Sequence, residues 1–526
     1  MRTTMSWMRV VAMAAGVVLV ASACGGGSAE PQASASGEPV RGGTLRIAYN
    51  TDASTLDPAR CGTESWQRCQ AIFGTLLTRD PATGEVGPGM AESFTSDDGL
   101  VWTLVLRPGL TFTDGTPFDA DAVVANWDRV RDPVVLSAAR STAEGMSWEV
   151  VDVRTVRVTL DTPNFRLPSA LEETLGMIAS PTALQERGPD FASQPVGAGP
   201  FVLQSWQRGT QMTLTRNAGY WDQPRPYVDE LVISTIPADD QRVNALAAGE
   251  IDVMSTLVAE YATRAEEAGF VRQGLPPFGG TGLRMSWRTG ALADPDVREA
   301  VARLVDTGQI RNAFFPDEPE PTTFSPVGSP YHDPAATFRA PDVARAQQLI
   351  DGYLTRTGQD AVRLTFKITA GVPILEQISQ MLQAQLQRVR GLEMTIVPQE
   401  VGAYYGDVAT GNYELLSVGV LGTDPDDLYD SYHTGQAQNT AGYSDAEVDA
   451  ALDAARAAPD PAAADAFYAA AMRRLAATDA LQPWFYISGW LLADESVQGI
   501  EPAGTYMTRP ELIWLTISGF GPESDR

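Results

Sequence analysis

Side chains suited to covalent or metal chemistry are scarce here: three cysteines, two histidines and one lysine in 526 residues. His332 and His433 stand about 100 residues apart, so an HExxH zinc helix is impossible, and no Cys/His group has metal-ligand spacing. A Ser-His-Asp site would need one of those two imidazoles, and no GxSxG elbow is present. A Ser-Lys nucleophile would need Lys367, and no SxxK occurs. Walker A and a helix-opening GxGxxG are also missing. The 66 acidic residues offer endless carboxylate pairs, so a glycosidase pair cannot be singled out by counting. This poverty of catalytic equipment points to binding, without metal or cofactor. A secreted hydrolase using a carboxylate pair is the rival reading.

The cysteines carry more information. Arg2 and Arg9 give a basic start, followed by the 12-residue apolar run VVAMAAGVVLVA (10–21). A membrane-spanning helix needs about 20 apolar residues, so this run reads as a secretory signal, residues 1–23. Ala21, Ser22 and Ala23 lead directly into Cys24, which resembles the lipobox of bacterial lipoproteins, with Ala21 where a leucine usually stands. Residues 24–40, rich in Gly, Ser, Ala and Pro, then read as a flexible tether behind a lipidated Cys24, holding the protein on the outer face of the cell membrane. Plain secretion with a bystander cysteine is the alternative. Cys61 and Cys69 bracket CGTESWQRC; in an oxidising compartment a bridge there contributes about 2–3 kcal/mol, against the alternative of two buried thiols.

After residue 40 no stretch approaches 18 uninterrupted apolar residues. The remaining ~485 residues exceed the roughly 250–300 that one core serves, so two or three lobes are expected. A formal charge of −28, from 38 basic and 66 acidic residues, disfavours nucleic acid as a partner.

The elements that must position any site alternate. Residues 42–50 read as a strand, 65–78 as a helix and 100–112 as a strand. A helix from Asp119 to about Val130 follows, with Val123, Val124 and Trp127 on its apolar face. Residues 153–160 are a strand; 195–217 hold a glycine turn and two strands. Residues 239–254 read as a helix stopped by Gly249, with Ile251 and Val253 opening a strand. Residues 294–310 read as one helix capped by Asp294 with Pro295 at its first position. Helices over 341–354 and 372–389, the latter flanked by strands at 361–369 and 392–400, complete an α/β pattern.

TLDPA, the stretch GEVGPGMAESFTSDDGLVWTLVLRPGLTFTDGTPFDADAVVANWDRV (84–130), VGAGPFVL, RNAGYWD, ALAAGEIDV and LADPDVREAVARLVD occur in that order. Together they make the chain resemble the extracytoplasmic solute-binding proteins of ABC importers, the oligopeptide/dipeptide/nickel-binding class, family 5. The resemblance runs from about residue 42 to the C-terminal end. It implies a two-lobed periplasmic-binding-protein-like fold of class II type with an additional inserted domain. Lobe I would be residues 41–75, 190–285 and 490–526, domain II 76–189 and lobe III 286–489. It also implies a monomer that closes over a peptide or peptide-like solute and delivers it to ABC permease and ATPase subunits, without chemistry. A ligand sensor or chaperone on the same scaffold is the further alternative.

Ligand residues follow by position. In peptide-binding relatives an acidic residue late in lobe III pairs with the peptide amino terminus. In VGVLGTDPDDLYD (418–430) that position falls on Leu421, and Val418 replaces the usual aromatic. A buried amine without a carboxylate is costly. Either the register shifts and Asp424 or Asp426 serves, or the ligand has no free amine there; Asp424 has a second role open to it, capping the helix begun by Pro425. Loops that line the cleft in relatives add Glu64, Ser65, Trp66, Arg284, Trp287, Tyr404, Tyr405, His433, Trp484 and Tyr486, an aromatic-rich set with broad rigid faces. Tyr220 and Trp221 are expected at a lobe seam, and Glu250 and Asp252 in structural roles.

Overall fold

The computed structural model describes residues 38–516, except 63–64, 81–84, 138, 289, 317, 319, 328–330, 420–423, 501 and 504–506. The expectations on Cys24, Glu64 and Leu421 fall outside the described residues.

Two long antiparallel strands, Val271–Met285 and Leu481–Ala493, organise the chain. They pair with each other along their length and sit at the centre of a ten-stranded sheet. On one side follow Val253–Thr256, Thr44–Tyr49, Glu230–Thr235, Gln211–Arg216 and Phe201–Gln207. On the other follow Leu415–Gly419, Val362–Thr369 and Leu392–Gln399. Each side contains a parallel triplet: Thr44–Tyr49 runs with Glu230–Thr235 and Val253–Thr256, and Val362–Thr369 with Leu392–Gln399 and Leu415–Gly419. A separate four-stranded sheet holds Ala91–Thr95, Val101–Leu106, Thr155–Leu160 and Met146–Asp152.

The ladder between the long strands shifts register between Leu275 and Phe278, Phe278 and Gly280, and Thr281 and Gly282. Such bulges bend and twist a strand pair. Close passage is secured by glycine: a Cβ on Gly280 would lie 1.6 Å from the Phe485 carbonyl oxygen, and one on Gly282 2.6 Å from that of Gln482.

The three largest of five apolar clusters among the described residues fill the halves. One joins the four-stranded sheet to the first half of the large sheet, from Ile47 and Leu231 to Trp102, Trp127 and Val156. A second, with Met285, Val301, Phe366, Leu382 and Trp484, lies under helices Pro295–Leu304, Val343–Thr357 and Pro373–Leu386. A third, on the opposite sheet face, packs helices Asp427–Tyr432, Ala446–Ala457 and Pro461–Ala477. Asp119, Asp294, Asp342 and Asp445 cap their helices by accepting backbone N–H bonds.

Two helices differ from expectation. The one read at 65–78 ends at Phe73, because Gly74 takes φ 61° and turns the chain into the strand Leu77–Arg79. The one read at 294–310 is two: Val305 is extended, and Asp306 caps a fresh start over Thr307–Phe314 by accepting from Gln309 N–H. Asp252 is structural, as expected: it takes the Arg46 backbone N–H at 2.7 Å and its guanidinium at 2.5 Å, tying neighbouring strands. Trp221 packs on the first cluster beneath the Arg107 guanidinium, 4.1 Å from its ring centre.

Candidate functional site

Both parallel triplets end at the same place. Thr256 pairs with Trp490, which pairs with Gly274; Gly419 pairs with Thr281. The carboxyl ends of strands from both halves therefore converge on the stretch between Gly274 and Thr281. In open α/β sheets, ligands bind outside strand carboxyl ends. The segments leaving those ends build the candidate site.

From the first half, the segment after Tyr49 is folded around Arg68 and Ser65. Arg68, 1 % exposed, donates to the Thr51 carbonyl at 2.8 Å and lies over the Tyr49 ring. Ser65, fully buried, accepts the Ser54 N–H through Oγ at 3.2 Å, so its hydroxyl holds the loop rather than facing open space. Trp66 is half-buried against the first core. A disulfide joins Cys61 to Cys69, with Cα atoms 6.6 Å apart. Leu257 and Val258, directly after Thr256, are exposed apolar side chains at the mouth.

From the second half come Tyr404 and Tyr405, in the helix Val401–Thr410 that follows Leu392–Gln399. Tyr404 is buried and donates to the Ser417 carbonyl at 2.5 Å; burial, then neighbouring Tyr405, pushes its hydroxyl up to about 12. Tyr405 packs edge-on against it and is 64 % exposed. Ile374 is a further exposed apolar group in the helix after Val362–Thr369. Arg284 is 8 % exposed, lies 5.8 Å above the Tyr432 ring, and has no carboxylate within ion-pair distance among the described residues.

Other expected residues are engaged within the protein, Tyr486 on the strand position that pairs with Gly280. Trp484 is fully buried, edge-on to Phe366 in the second core. Trp287 is packed between the Arg298 guanidinium, at 3.5 Å, and the Tyr443 ring, at 4.6 Å. Tyr486 is buried and donates to the Thr323 carbonyl. His433 stacks on Tyr429 at 4.3 Å, with Nε2 3.2 Å from Asp453.

Asp424 is already occupied. Oδ2 accepts from Arg79 at 3.0 Å and from Ser169 at 2.8 Å, while Oδ1 takes the Asp426 N–H at 3.0 Å. Asp426 meets Arg456 at 2.8 Å and Tyr468 at 2.8 Å. Glu172 lies beside Arg79 at 2.6 Å. Crowding by protein, then the Glu172 and Asp424 carboxylates, pushes nearby Glu173 up to about 7, although its side chain is exposed to water. Sequence reasoning missed Leu257, Val258, Ile374, Arg79 and Ser169. The apolar three look like continuations of their elements, and Arg79 stands 345 positions from the residue it pairs with.

Among the described residues no group of three or more His, Cys, Asp or Glu could hold a metal ion, and no helix is long and apolar enough to cross a membrane.

Comparison with known proteins gives a consistent result. The profile for bacterial extracellular solute-binding proteins, family 5 Middle, matches residues 85–442. The chain is similar to the glutathione-binding protein GsiB of Salmonella typhi, 27 % identical, the match spanning 79 % of this chain and 83 % of that one. It is similar in fold to DppA of Helicobacter pylori, solved with the peptide STSA: TM-score 0.78, 23 % identity, 90 % of this chain and 98 % of that one. It is also similar to AgaA from A. tumefacien R10, solved with agropinic acid: TM-score 0.79, 25 % identity, 90 % and 99 % covered.

Proposed function

Since the chain belongs to the bacterial extracellular solute-binding proteins of family 5, we propose that it is the binding lipoprotein of an ABC importer, taking up a peptide or peptide-like solute and passing it to a membrane permease. The observation that carries this reading is the convergence of two parallel triplets on one crossing of two strands. Two lobes linked through this pair of long strands can swing about that crossing and enclose what lies between. The lobe limits proposed are 41–75, 190–285 and 490–526 for lobe I, 76–189 for domain II and 286–489 for lobe III. The bent ladder at 275–282 would be the hinge, which moves the lobe I limit back from 285, since Thr281–Met285 pair with Leu415–Gly419 and Leu283 and Met285 pack in the second cluster.

Within the cleft, Tyr405 with Leu257, Val258 and Ile374 offers apolar and aromatic surface, the usual lining of a small-molecule site. Trp66 and Arg284 complete the proposed set, Arg284 as the cation for an acidic group on the solute. Trp287, Trp484 and Tyr486 support the walls. Lipidation of Cys24 would keep the receptor beside its permease. No bond in the solute is broken. The test is native mass spectrometry of the protein from its own host, followed by calorimetry with the released compound and with glutathione and short peptides. One solute per chain, returned unaltered, is expected; conversion of the bound compound would refute the reading.

A further inference from the structure

We propose that Arg79, Ser169 and Asp424 form a clasp between domain II and lobe III that holds the cleft shut without solute, and so sets how long a captured solute stays. The proposal rests on the two-lobed reading above, but its test needs no solute.

Arg79 ends the short strand Leu77–Arg79, and Ser169 lies in the turn of helix Leu167–Ala170, both in the 76–189 segment. Asp424 follows the strand Leu415–Gly419 of the other half. Among the described residues, both hydrogen bonds to Asp424 Oδ2 come from across the seam: Arg79 Nη2 at 3.0 Å and Ser169 Oγ at 2.8 Å. Glu172 holds the Arg79 guanidinium in place through Nε at 2.7 Å. A second line of contact runs beside it. The Phe165 N–H donates to the Arg456 carbonyl at 2.7 Å, and Arg166 Nη2 to the Ala458 carbonyl at 3.3 Å. Arg456 is fixed within its own half by Asp426. The two acids, two positions apart, divide the work: Asp426 anchors lobe III internally and Asp424 reaches out.

The Arg79 and Asp424 side chains are 29 % and 15 % exposed, so water screens this pair less than an open surface pair. A charged pair with a hydroxyl bond to the same oxygen is stronger than a neutral contact. With both its oxygens engaged, Asp424 could take a solute amine only by giving up the clasp. Its action is therefore on the closed fraction, which scales apparent affinity directly.

The Phe165 amide is a built-in reporter, since its bond crosses the seam. Hydrogen exchange followed by mass spectrometry, on the full chain without solute, compares wild type with Arg79→Gln, Asp424→Asn, the double variant and Ser169→Ala. Each charge variant should speed exchange at Phe165 about tenfold or more. The double should be no faster than the faster single, because both remove one interaction. Ser169→Ala, which leaves all charges in place, should give a smaller acceleration of a few fold. Amides of the strand Thr44–Tyr49 should keep wild-type rates. Unchanged exchange at Phe165, multiplying effects in the double, or equal acceleration in Thr44–Tyr49 would each overturn the clasp. A failure of solute capture shows instead in native mass spectrometry, whatever Phe165 does.

Discussion

Replacing Gly280 by alanine places a methyl group 1.6 Å from the Phe485 carbonyl oxygen. Ordinary carbon–oxygen contact is about 3.3 Å, near the weak C–H···O range, so the two long strands must part by more than 1.5 Å at their crossing. Overpacking of this kind costs about 1–3 kcal/mol. Parting also strips ladder bonds on either side, each contributing about 1 kcal/mol. The sum is roughly 3–5 kcal/mol. The same strands supply graded controls. Gly282→Ala meets the Gln482 oxygen at 2.6 Å and should cost about 1–3 kcal/mol. Gly274→Ala meets nothing within 4 Å and should be neutral or slightly stabilising, by about 0.4–1 kcal/mol through the unfolded chain. Equilibrium urea unfolding of the three variants reads the series. If Gly280→Ala proved as stable as Gly274→Ala, the close crossing, and the hinge argued from it, would be wrong.

Trp484→Ala should destabilise the protein by about 3–5 kcal/mol, since it removes a fully buried indole from the second core, whereas Tyr405→Ala should leave the urea midpoint in place and weaken solute binding about tenfold; the opposite pattern would exchange their roles. Glu173, raised in the folded protein to about 7 with Glu172, Asp424, Arg79 and Asp430 around it, takes up a proton on folding. Stability it contributes is therefore present below the ordinary glutamate range and lost as pH rises through about 7; Glu173→Gln should shrink the difference in urea midpoint between pH 5.5 and 8, and an unchanged difference refutes this. Cys24→Ser should release the protein from membranes, and retention on washed membranes would refute the anchor. Non-reducing peptide mapping should return Cys61 linked to Cys69, and two alkylatable thiols in native protein would contradict it.

Helices were readable where a cap and a 3.6-residue stripe agree, as at Asp119. The single helix read at 294–310 shows the limit: the apolar spacing continues through Val305 and Ile310, but Asp306 offers the backbone a competing bond and starts a new turn. The two central strands went unread because VRQGLPPFGGTGLRM and LQPWFYISGWLLA break alternation with glycine and proline, the residues their bent crossing needs. At the site, aromatic type alone does not separate Trp484, sealed in a core, from Tyr405, open to water. Nor does spacing reveal that Asp424 spends its charge on Arg79, because that pairing exists only after the chain has crossed from one half to the other along 271–285.

Enclosure of a solute requires the lobes to move. Small-angle scattering of the full chain, with and without the compound released from native protein, tests it most directly. Solute-free Arg79→Gln, with its clasp removed, should show a larger radius of gyration than wild type and contract to the wild-type value when the compound is bound. An Arg79→Gln radius that stays fixed at saturating compound would contradict it.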